Sequence, residues 1–501
     1  MSRHIPATMA TQHPDNASAP YWETDGDGFV STREETEECY SSFRDLGCEE
    51  FMWDWEGKYV DEAVVDRLFH TYLDYFRKHQ LGRDRFLTFR IPNIWHERGY
   101  SLARSMIGIL TAESFAKDLG FHTPPLFEVI LPFTSKAEDI MYIQDTFEKL
   151  AVFKHKLFKD GDSLTRLDVL PLFEGVDDLT SCRALLDRYV ALHQRRFKAK
   201  PGYLRLHIAR SDPALNAGLV PAVVAGKVAL SEFARFSDEH GIPVHPAIGA
   251  GALPFRGSLS PERISDFLAE YPGVRTAYIQ SAFRYDFPFE TAKAAVHRLN
   301  KELPTTVPRH FAPRDIAAAE ALIPLFSAPY RRSVEAIAPA INRLSADVPQ
   351  RRERKLHTGL FGYSRGIGKK RLPRAIPFTA SLYTLGVPPE FIGTGRGLEA
   401  ARKAGIDVEP FYVNFRKDLM LAGAYLNRGN LRELAMHNKG WKGIETDVDL
   451  LEKLLGVSFG PGTKDARSHE RIASSALRCF RAGKPLTEAI LESGVLRRSL
   501  G

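Results

Sequence analysis

Residues 168–179 read DVLPLFEGVDDL, and this stretch decides the fold. It opens with a short apolar run typical of a buried strand, and one carboxylate, Glu174, stands at the far end of that run. Gly175 breaks the run, and apolar residues at helical spacing follow it. A strand, a glycine turn and a helix make one βα unit. In barrels of such units the catalytic groups lie where the strands end, so Glu174 is a candidate site residue. The alternative is a helix cap or a solvated loop.

The same pattern of an apolar strand, polar residues and a helix recurs along the chain. An extended segment precedes His13. Further strands are predicted within residues 47–61, 86–93, 126–134, 203–210, 244–248, 275–286 and 356–376. The units number about eight, which is the number that closes a barrel. The predicted fold class is therefore α/β, a TIM-type (β/α)8 barrel with additional, mainly C-terminal helices. We expect residues 1–400 to form the barrel domain and residues 401–501 a helical extension packed on it.

Asp212 stands at the strand end of the next βα unit after Glu174. The apolar alternation of residues 204–208 leads into Arg210 and Asp212, and Pro213 suits the first turn of a helix. Asp212 is therefore either the N-cap of that helix or an oxygen ligand for a divalent ion. Neighbouring barrel strands bring their end residues close together, which favours a role shared with Glu174.

Ionisable residues also close the earlier predicted strands. Pro14 disfavours helical geometry at His13, which leaves either a proton-transferring histidine at the end of an extended segment or a surface turn. Residues 47–61 place two carboxylates and Lys58 near a strand end, which suits metal or phosphate chemistry or a charged strand edge. Arg90 ends an apolar strand and needs an anion there, because an unpaired buried cation is costly.

A glycine-rich loop and several arginines complete the set of polar strand ends. Residues 249–257 carry three glycines around Arg256, and glycines allow backbone N–H groups to approach an anion closely. The spacing of a phosphate-binding P-loop is absent from the sequence. Further arginines lie in the predicted strand 275–286 and in the last predicted strand with its glycine-rich loop: Arg284, Arg365 and Arg374.

The totals describe a globular protein of 501 residues, 44% hydrophobic and 26% charged. A net charge of +6 is compatible with an anionic small substrate. The four cysteines have no CxxC spacing, which indicates a reducing, cytoplasmic setting. The first residues lack an apolar signal core, and no stretch approaches the ~18–20 apolar residues of a membrane helix. We therefore expect a soluble protein without a membrane partner.

Ten stretches in order resemble the archaeal-type phosphoenolpyruvate carboxylases, across essentially the whole chain. They read TQHPDN, LGCEEFMWDWEGK, LTFRIPN, FEVILPFTS, PLFE, ARSDPALNAG, PFRGSL, QSAFRYD, GLFGYSR and LPRAI. In the longer carboxylases the corresponding motifs carry a catalytic histidine, matched by His13, and two metal-binding carboxylates, matched by Glu174 and Asp212. Those enzymes have a lysine where this chain has Leu215.

The resemblance implies that phosphoenolpyruvate and bicarbonate react to give oxaloacetate and phosphate, through carboxyphosphate and the enolate of pyruvate. It implies a divalent ion, Mg²⁺ or Mn²⁺, bound by Glu174 and Asp212, and a homotetramer. Because every reactant is anionic, the basic residues at strand ends take the remaining roles. Catalysis is assigned to His13, Arg90, Arg256 and Arg365, and substrate binding to Lys58, Arg210, Arg284 and Arg374.

Two other functions stay open on the sequence. One is another metal-dependent barrel lyase or aldolase of enolate chemistry. The other is a nucleic-acid-binding protein that uses the basic run QRRERK, residues 350–355, although the mild net charge and the lack of a binding module argue against any nucleic-acid partner.

The family also finishes on a Leu-Gly pair. We therefore expect residues 499–501 to dock with the terminal carboxylate on an arginine near the site, and Arg497 and Arg498 to add positive potential.

Overall fold

Eight parallel strands close into a barrel in the computed structural model, which describes residues 4–23, 25–56, 58, 60–96, 100–158, 164–353, 366–367 and 370–501. The strands follow one another around the barrel in chain order, and the first pairs with the eighth. They are β1 (Thr8–Thr11), β2 (Glu50–Asp54), β3 (Phe86–Arg90), β4 (Glu128–Leu131), β5 (Asp168–Phe173), β6 (Leu204–Ala209), β7 (Val244–Gly249) and β8 (Thr276–Ile279).

Helices surround the barrel and continue beyond it. Those that accompany the barrel are α1 (Glu35–Arg44), α2 (Val64–Lys78), α3 (Tyr100–Asp118), α4 (Ala137–Phe158), α5 (Val176–Thr180), α6 (Cys182–Phe197), α7 (Ser211–Ala217), α8 (Leu219–His240), α9 (Ile264–Glu270), α10 (Ser281–Tyr285) and α11 (Phe289–Glu302). Those that follow are α12 (Pro313–Ser345), α13 (Ala375–Thr384), α14 (Thr394–Lys403), α15 (Phe415–Gly423), α16 (Arg428–Ala435), α17 (Lys439–Leu455), α18 (Lys464–Arg481) and α19 (Thr487–Arg497).

A polar layer fills the barrel at the amino ends of its strands. The fully buried guanidinium of Arg205 pairs with Glu50 at 2.6 Å and with Glu128 at 2.7 Å, and it donates to the hydroxyl of Thr276 at 3.2 Å. These four side chains come from the even-numbered strands, which matches the layered packing of such barrels. Apolar side chains fill the next part of the interior. The opposite end, where the strands finish, is therefore where an open site can form.

Two large apolar cores hold the surrounding helices. One lies between the strands and the helices around them. In the other, α7 and α8 share buried side chains with α12 and the helices that follow it. The long helix α12 packs against α8, α14 and α17, so it joins the barrel to the later helices. The boundary expected between residues 400 and 401 falls inside α14.

The barrel predicted from the sequence is confirmed, but one of its strands was assigned wrongly. Residues 356–376 were expected to supply the last strand. Within this range, Gly366–Ile367 and Lys370–Arg371 instead form a two-stranded antiparallel sheet apart from the barrel, and α13 begins at Ala375. The eighth place belongs to β8, and the extended segment before His13 supplies β1. A strand covered on both faces needs an apolar run, which this glycine- and lysine-rich stretch lacks.

Within the described part of the chain, no helix is both long and apolar enough to cross a bilayer.

Candidate active site

A cavity of about 460 Å³ opens at the carboxyl ends of the barrel strands. Its wall includes residues at or just after the ends of seven strands: His13, Glu56, Arg90, Glu174, Asp212, Gly249 and Gln280. Other parts of the wall come from the segment 345–352, from the start of α13, and from Leu500. A cavity of this size and position is typical of the active site of a barrel enzyme.

The two candidate metal ligands, Glu174 and Asp212, both line this cavity. Glu174 directly follows β5, whose end pairs with β6 at Phe173 and Ile208. Asp212 lies in the first turn of α7, which begins at Ser211, so Asp212 is not the N-cap. Glu174 is 5% exposed, and one of its oxygens accepts a hydrogen bond from the backbone N–H of Phe133 at 2.6 Å. The fold thus places two carboxylates that follow neighbouring strands in the wall of one cavity.

Oxygen ligands of this kind suit Mg²⁺ and Mn²⁺, and Mg²⁺ commonly takes one or two protein carboxylates and completes its shell with water and substrate oxygens. Within the described residues, the one cluster of three acidic side chains close enough to share an ion is Glu23, Asp25 and Asp27, and none of these lines the cavity. The residues present therefore fit an ion that is held by two protein ligands.

His13 follows β1 and faces the same cavity. Its Nδ1 lies 2.9 Å from the hydroxyl of Thr11. Its backbone carbonyl accepts hydrogen bonds from the N–H groups of Asp15 at 3.0 Å and Ser281 at 3.3 Å. The ring centroid is 6.3 Å from that of Tyr278, another residue of the cavity wall. These contacts set the orientation of the imidazole against the cavity.

Arg90 lines the cavity and is neutralised by carboxylates of the second strand. Its guanidinium donates to both oxygens of Asp54, at 2.9 and 2.6 Å, and pairs with Glu56 at 2.8 Å. Burial alone would lower the pKa of Arg90, but Asp54 and Glu56 raise it well above its usual value. The two carboxylates that the sequence offered for metal or phosphate chemistry therefore form buried ion pairs with an arginine.

Arg256 lines the cavity, but most of its donors are used within the protein. The guanidinium donates to Asp15 at 2.8 Å, to the Gly501 oxygen at 2.7 Å and to Gln280 at 2.7 Å. Its Nε donates to Ser211 at 3.1 Å. Four of the five guanidinium N–H groups are thus taken. Arg256 therefore has one N–H group left for a substrate anion, too few for bidentate binding, and it joins four chain segments beside the cavity.

Arg210 is a cavity arginine whose two terminal nitrogens are both unused within the described residues. Its side chain is fully buried, and Nε donates to the hydroxyl of Tyr271 at 2.8 Å. Its two terminal nitrogens have no hydrogen-bond partner within the described residues. A buried guanidinium in this state needs an anion or water, and the cavity wall includes this residue. Arg374 also lines the cavity, at the N-cap of α13.

Two residues that the resemblance assigned to substrate binding do not reach the cavity wall. Lys58 is paired with Glu35 at 2.5 Å, and Arg284 is paired with Glu38 at 2.9 Å. Both side chains are buried behind the wall, so we withdraw the assignment of direct substrate contact. Arg365 lies outside the described residues.

The sequence did not single out Arg351 and Arg352 as site residues, yet both line the cavity. They are 8% and 2% exposed. Arg352 pairs with Glu35 and Glu38, and Arg351 donates to the carbonyls of Asp27 and Ala17. A run of basic residues normally indicates a solvated surface, and no local signal showed that these two face inward. Gln280 and Tyr278 also line the cavity and were not among the predicted site residues.

The docked end of the chain differs from its expected description in one respect. Leu500 and Gly501 are buried, and the Gly501 oxygen contacts Arg256, as expected for an arginine near the site. Arg497, however, is bonded to His469 and to the carbonyl of Leu500, both at 2.9 Å. Arg498 is exposed and pairs with Glu262. Neither arginine is part of the cavity wall.

Comparison with known proteins agrees with this geometry. The family model described as phosphoenolpyruvate carboxylase matches residues 5–501. A phosphoenolpyruvate carboxylase of Leuconostoc mesenteroides is 40% identical, and the match covers all of both chains. The proteins of the same name from Oenococcus oeni and Metallosphaera sedula are 38% and 37% identical and are matched over at least 99% of their length. With its barrel, its strand-end carboxylates and its histidine, this chain belongs to the phosphoenolpyruvate carboxylase family.

Proposed function

We propose that this protein carboxylates phosphoenolpyruvate with bicarbonate and releases oxaloacetate and phosphate. The observation that carries the proposal is the convergence of Glu174, Asp212, His13 and buried arginines on one cavity. The full-length match to the family supports it. The other barrel chemistries are less favoured, because the family match spans the whole chain.

The arginines of the wall balance the charge of the reactants. Phosphoenolpyruvate and bicarbonate are both anions, and positive groups in a cavity of low polarity attract them strongly. Arg210, with two unused nitrogens, is the best placed donor for a phosphate or carboxylate oxygen. Arg90 and Arg256 are held by carboxylates, so they contribute a fixed electrostatic field with few donors to spare.

Bicarbonate attacks the phosphoryl group, and the enolate of pyruvate leaves with carboxyphosphate beside it. We assign His13 the proton of carboxyphosphate as carbon dioxide is released, since a histidine titrates near neutral pH. The enolate then bonds carbon dioxide through its methylene carbon. A closed cavity favours this outcome, because water in contact with the enolate would protonate it to pyruvate.

Glu174 and Asp212 would hold a divalent ion, Mg²⁺ or Mn²⁺. When bound, such an ion supplies positive charge that stabilises the phosphoryl and enolate oxygens. We further propose a cytoplasmic location and a homotetramer, as the family resemblance implies. The four free cysteines agree with a reducing compartment.

Enzyme assay tests the proposed function directly. Oxaloacetate is measured by coupling to malate dehydrogenase, with phosphate measured in parallel. We expect both products in equal amounts, with a requirement for bicarbonate and for a divalent ion. Phosphate release without any need for bicarbonate would favour a different lyase and contradict the proposal. A salt-sensitive shift of DNA or RNA by the protein would support the nucleic-acid alternative.

A further inference from the structure

A linear network of five buried charges, called the charge network below, lies beside the two residues that precede His13, and one of its members, Arg352, also lines the cavity. Its members are each 6% exposed or less: Glu35, Glu38, Lys58, Arg284 and Arg352. The ion pairs follow one another in a line from Lys58 to Arg284. They join Lys58 to Glu35 at 2.5 Å, Glu35 to Arg352 at 3.0 Å, Arg352 to Glu38 at 2.8 Å and Glu38 to Arg284 at 2.9 Å. Burying five charges is costly, so a requirement for position is the simplest reason to keep them.

The two ends of the charge network, Lys58 and Arg284, hold the segment that carries His13. Lys58 donates to the side-chain oxygen of Gln12 at 2.7 Å, and the same oxygen accepts from the backbone N–H of Asp54 at 2.9 Å. Two donors on one atom fix which end of the amide points inward. At the other end, Arg284 donates to the backbone carbonyl of Thr11 at 2.7 Å. Thr11 and Gln12 are therefore clamped from two sides.

The clamp is connected to the imidazole through short contacts. The hydroxyl of Thr11 lies 2.9 Å from Nδ1 of His13. Arg284 also donates to the hydroxyl of Ser281 at 3.3 Å, and the N–H of Ser281 donates to the carbonyl of His13 at 3.3 Å. Arg284 thus supports His13 by two routes. One runs through Thr11, and the other runs through Ser281, which begins α10.

We propose that Lys58 and Arg284 are positioning residues that hold His13 in register with the cavity. The inference rests on the proposed carboxylation, in which His13 takes a proton at a defined place. A small displacement of a catalytic group lowers its contribution sharply. Loosening the charge network should therefore slow the proton step and leave the enolate to be protonated by water. Substrate affinity should change little, because neither Lys58 nor Arg284 lines the cavity.

The variant Lys58→Met tests this, because it removes the ammonium and keeps most of the apolar stem. We expect kcat for oxaloacetate to fall about tenfold, with KM for phosphoenolpyruvate within about twofold. The ratio of pyruvate to oxaloacetate should rise, and the pH profile of kcat should shift. A matched control is Lys154→Met: Lys154 is equally buried, with 8% of its side chain exposed, and it pairs with Glu113 at 3.5 Å on the outer helices. This control should keep the product ratio.

Thr11→Val provides a second test that leaves all five charges of the charge network in place. It replaces the hydroxyl beside His13 with a methyl group, so it should raise the pyruvate fraction in the same way. A large rise in KM without a change in product ratio for Lys58→Met would mean direct substrate binding and would overturn the proposal. An unchanged ratio in both variants would overturn it as well.

A readout without turnover separates this proposal from the proposed function. The rate at which diethyl pyrocarbonate modifies His13, followed by peptide mass spectrometry, reports the orientation and accessibility of the imidazole. Lys58→Met and Thr11→Val should change that rate severalfold, whereas Lys154→Met should not. If the wild-type protein made no oxaloacetate, the function would fail while this measurement could still support the clamp. An unchanged rate in both variants would contradict the clamp, even in an active carboxylase.

Discussion

Single residues carry the strongest consequences at Glu174 and Asp212. Glu174→Gln and Asp212→Asn each replace one anionic oxygen ligand with a neutral amide. We expect each variant to lose activity by about 100-fold or more, with partial recovery at high Mg²⁺ and an unchanged unfolding temperature. Steady-state kinetics over a range of metal concentrations measure this. Asp177→Asn is the control, because Asp177 is exposed in the same βα unit. Near-normal activity of both variants at low Mg²⁺ would remove the pair from the site.

Arg256 is the residue at which charge alone should not suffice. Lysine cannot reproduce the four donated hydrogen bonds, and Arg256→Lys leaves Asp15 and Gln280 short of partners. We expect a loss of activity together with a loss of stability of about 3 kcal/mol, as for a broken buried ion pair. Differential scanning calorimetry and kcat/KM measure the two effects. The exposed Arg498→Lys serves as control. A silent Arg256→Lys would show that the contact network is dispensable.

At the scale of residues, the sequence predicted side chains that follow an apolar run and failed for those that depend on distant partners. Glu174 and Asp212 follow such runs and do line the cavity. Lys58 also follows one, but its direction is decided by Gln12 and by Glu35 on α1. The fork of Arg256 is taken up partly by Gly501, which is 245 positions away. Partners at that separation leave no local pattern in a single sequence.

Among the structural elements, the segment 499–501 has an unusually tight setting. A methyl group on Gly501 would lie 2.3 Å from the carbonyl oxygen of Ile376, and Leu500 is 1% exposed. Gly501→Ala should therefore displace the contact with Arg256 and lower activity severalfold. Deleting residues 499–501 should lower both activity and the unfolding temperature, because Leu500 belongs to an apolar core. Gly462→Ala is the control, because a methyl group at Gly462 meets no other atom within 4 Å and the backbone there has no positive φ.

The short helix around Glu390 supplies a pH-dependent element. Its carboxyl accepts from the N–H of Phe255 at 2.9 Å and from the hydroxyl of Tyr383 at 2.8 Å, and burial raises the pKa of Glu390 to about 7. A folded-state pKa above the unfolded value means that ionisation opposes folding, so the penalty is absent at low pH and grows as pH rises toward 7. Glu390→Gln keeps both accepted bonds without the charge.

The stability of Glu390→Gln relative to wild type should therefore increase between about pH 5 and pH 8, by up to about 3 kcal/mol. Unfolding temperatures of both proteins across this range measure the difference. A difference that stays constant with pH, or that falls as pH rises, would contradict the assignment.

At the scale of elements, long periodic segments were predicted well and short ones poorly. The sequence pattern predicts helices over about residues 313–344 and 137–158, and these match α12 and α4. The segment 275–286 was expected to be all strand, but the strand ends at Ile279 and α10 begins at Ser281. Strands of four residues carry too little alternation to mark where they stop.

For the whole molecule, counting βα units was enough to predict a closed barrel, because eight such units have few other arrangements. The count did not show which segments supply the first and last strands, since that depends on pairing across the closure between β1 and β8. Nor did it show that α12 and later helices share a core with α8. The position of the site followed from the barrel, whereas the shape of its wall depends on residues 345–352 and Leu500.

The central claim is that bicarbonate attacks the phosphoryl group in this cavity. The most direct test supplies ¹⁸O-labelled bicarbonate with unlabelled phosphoenolpyruvate and a divalent ion, and analyses both products by mass spectrometry before the label exchanges with water. Attack through a bicarbonate oxygen transfers that oxygen to phosphorus, so the account predicts one ¹⁸O in each phosphate released and the remaining label in the new carboxyl group of oxaloacetate. Phosphate that carries no label would contradict it.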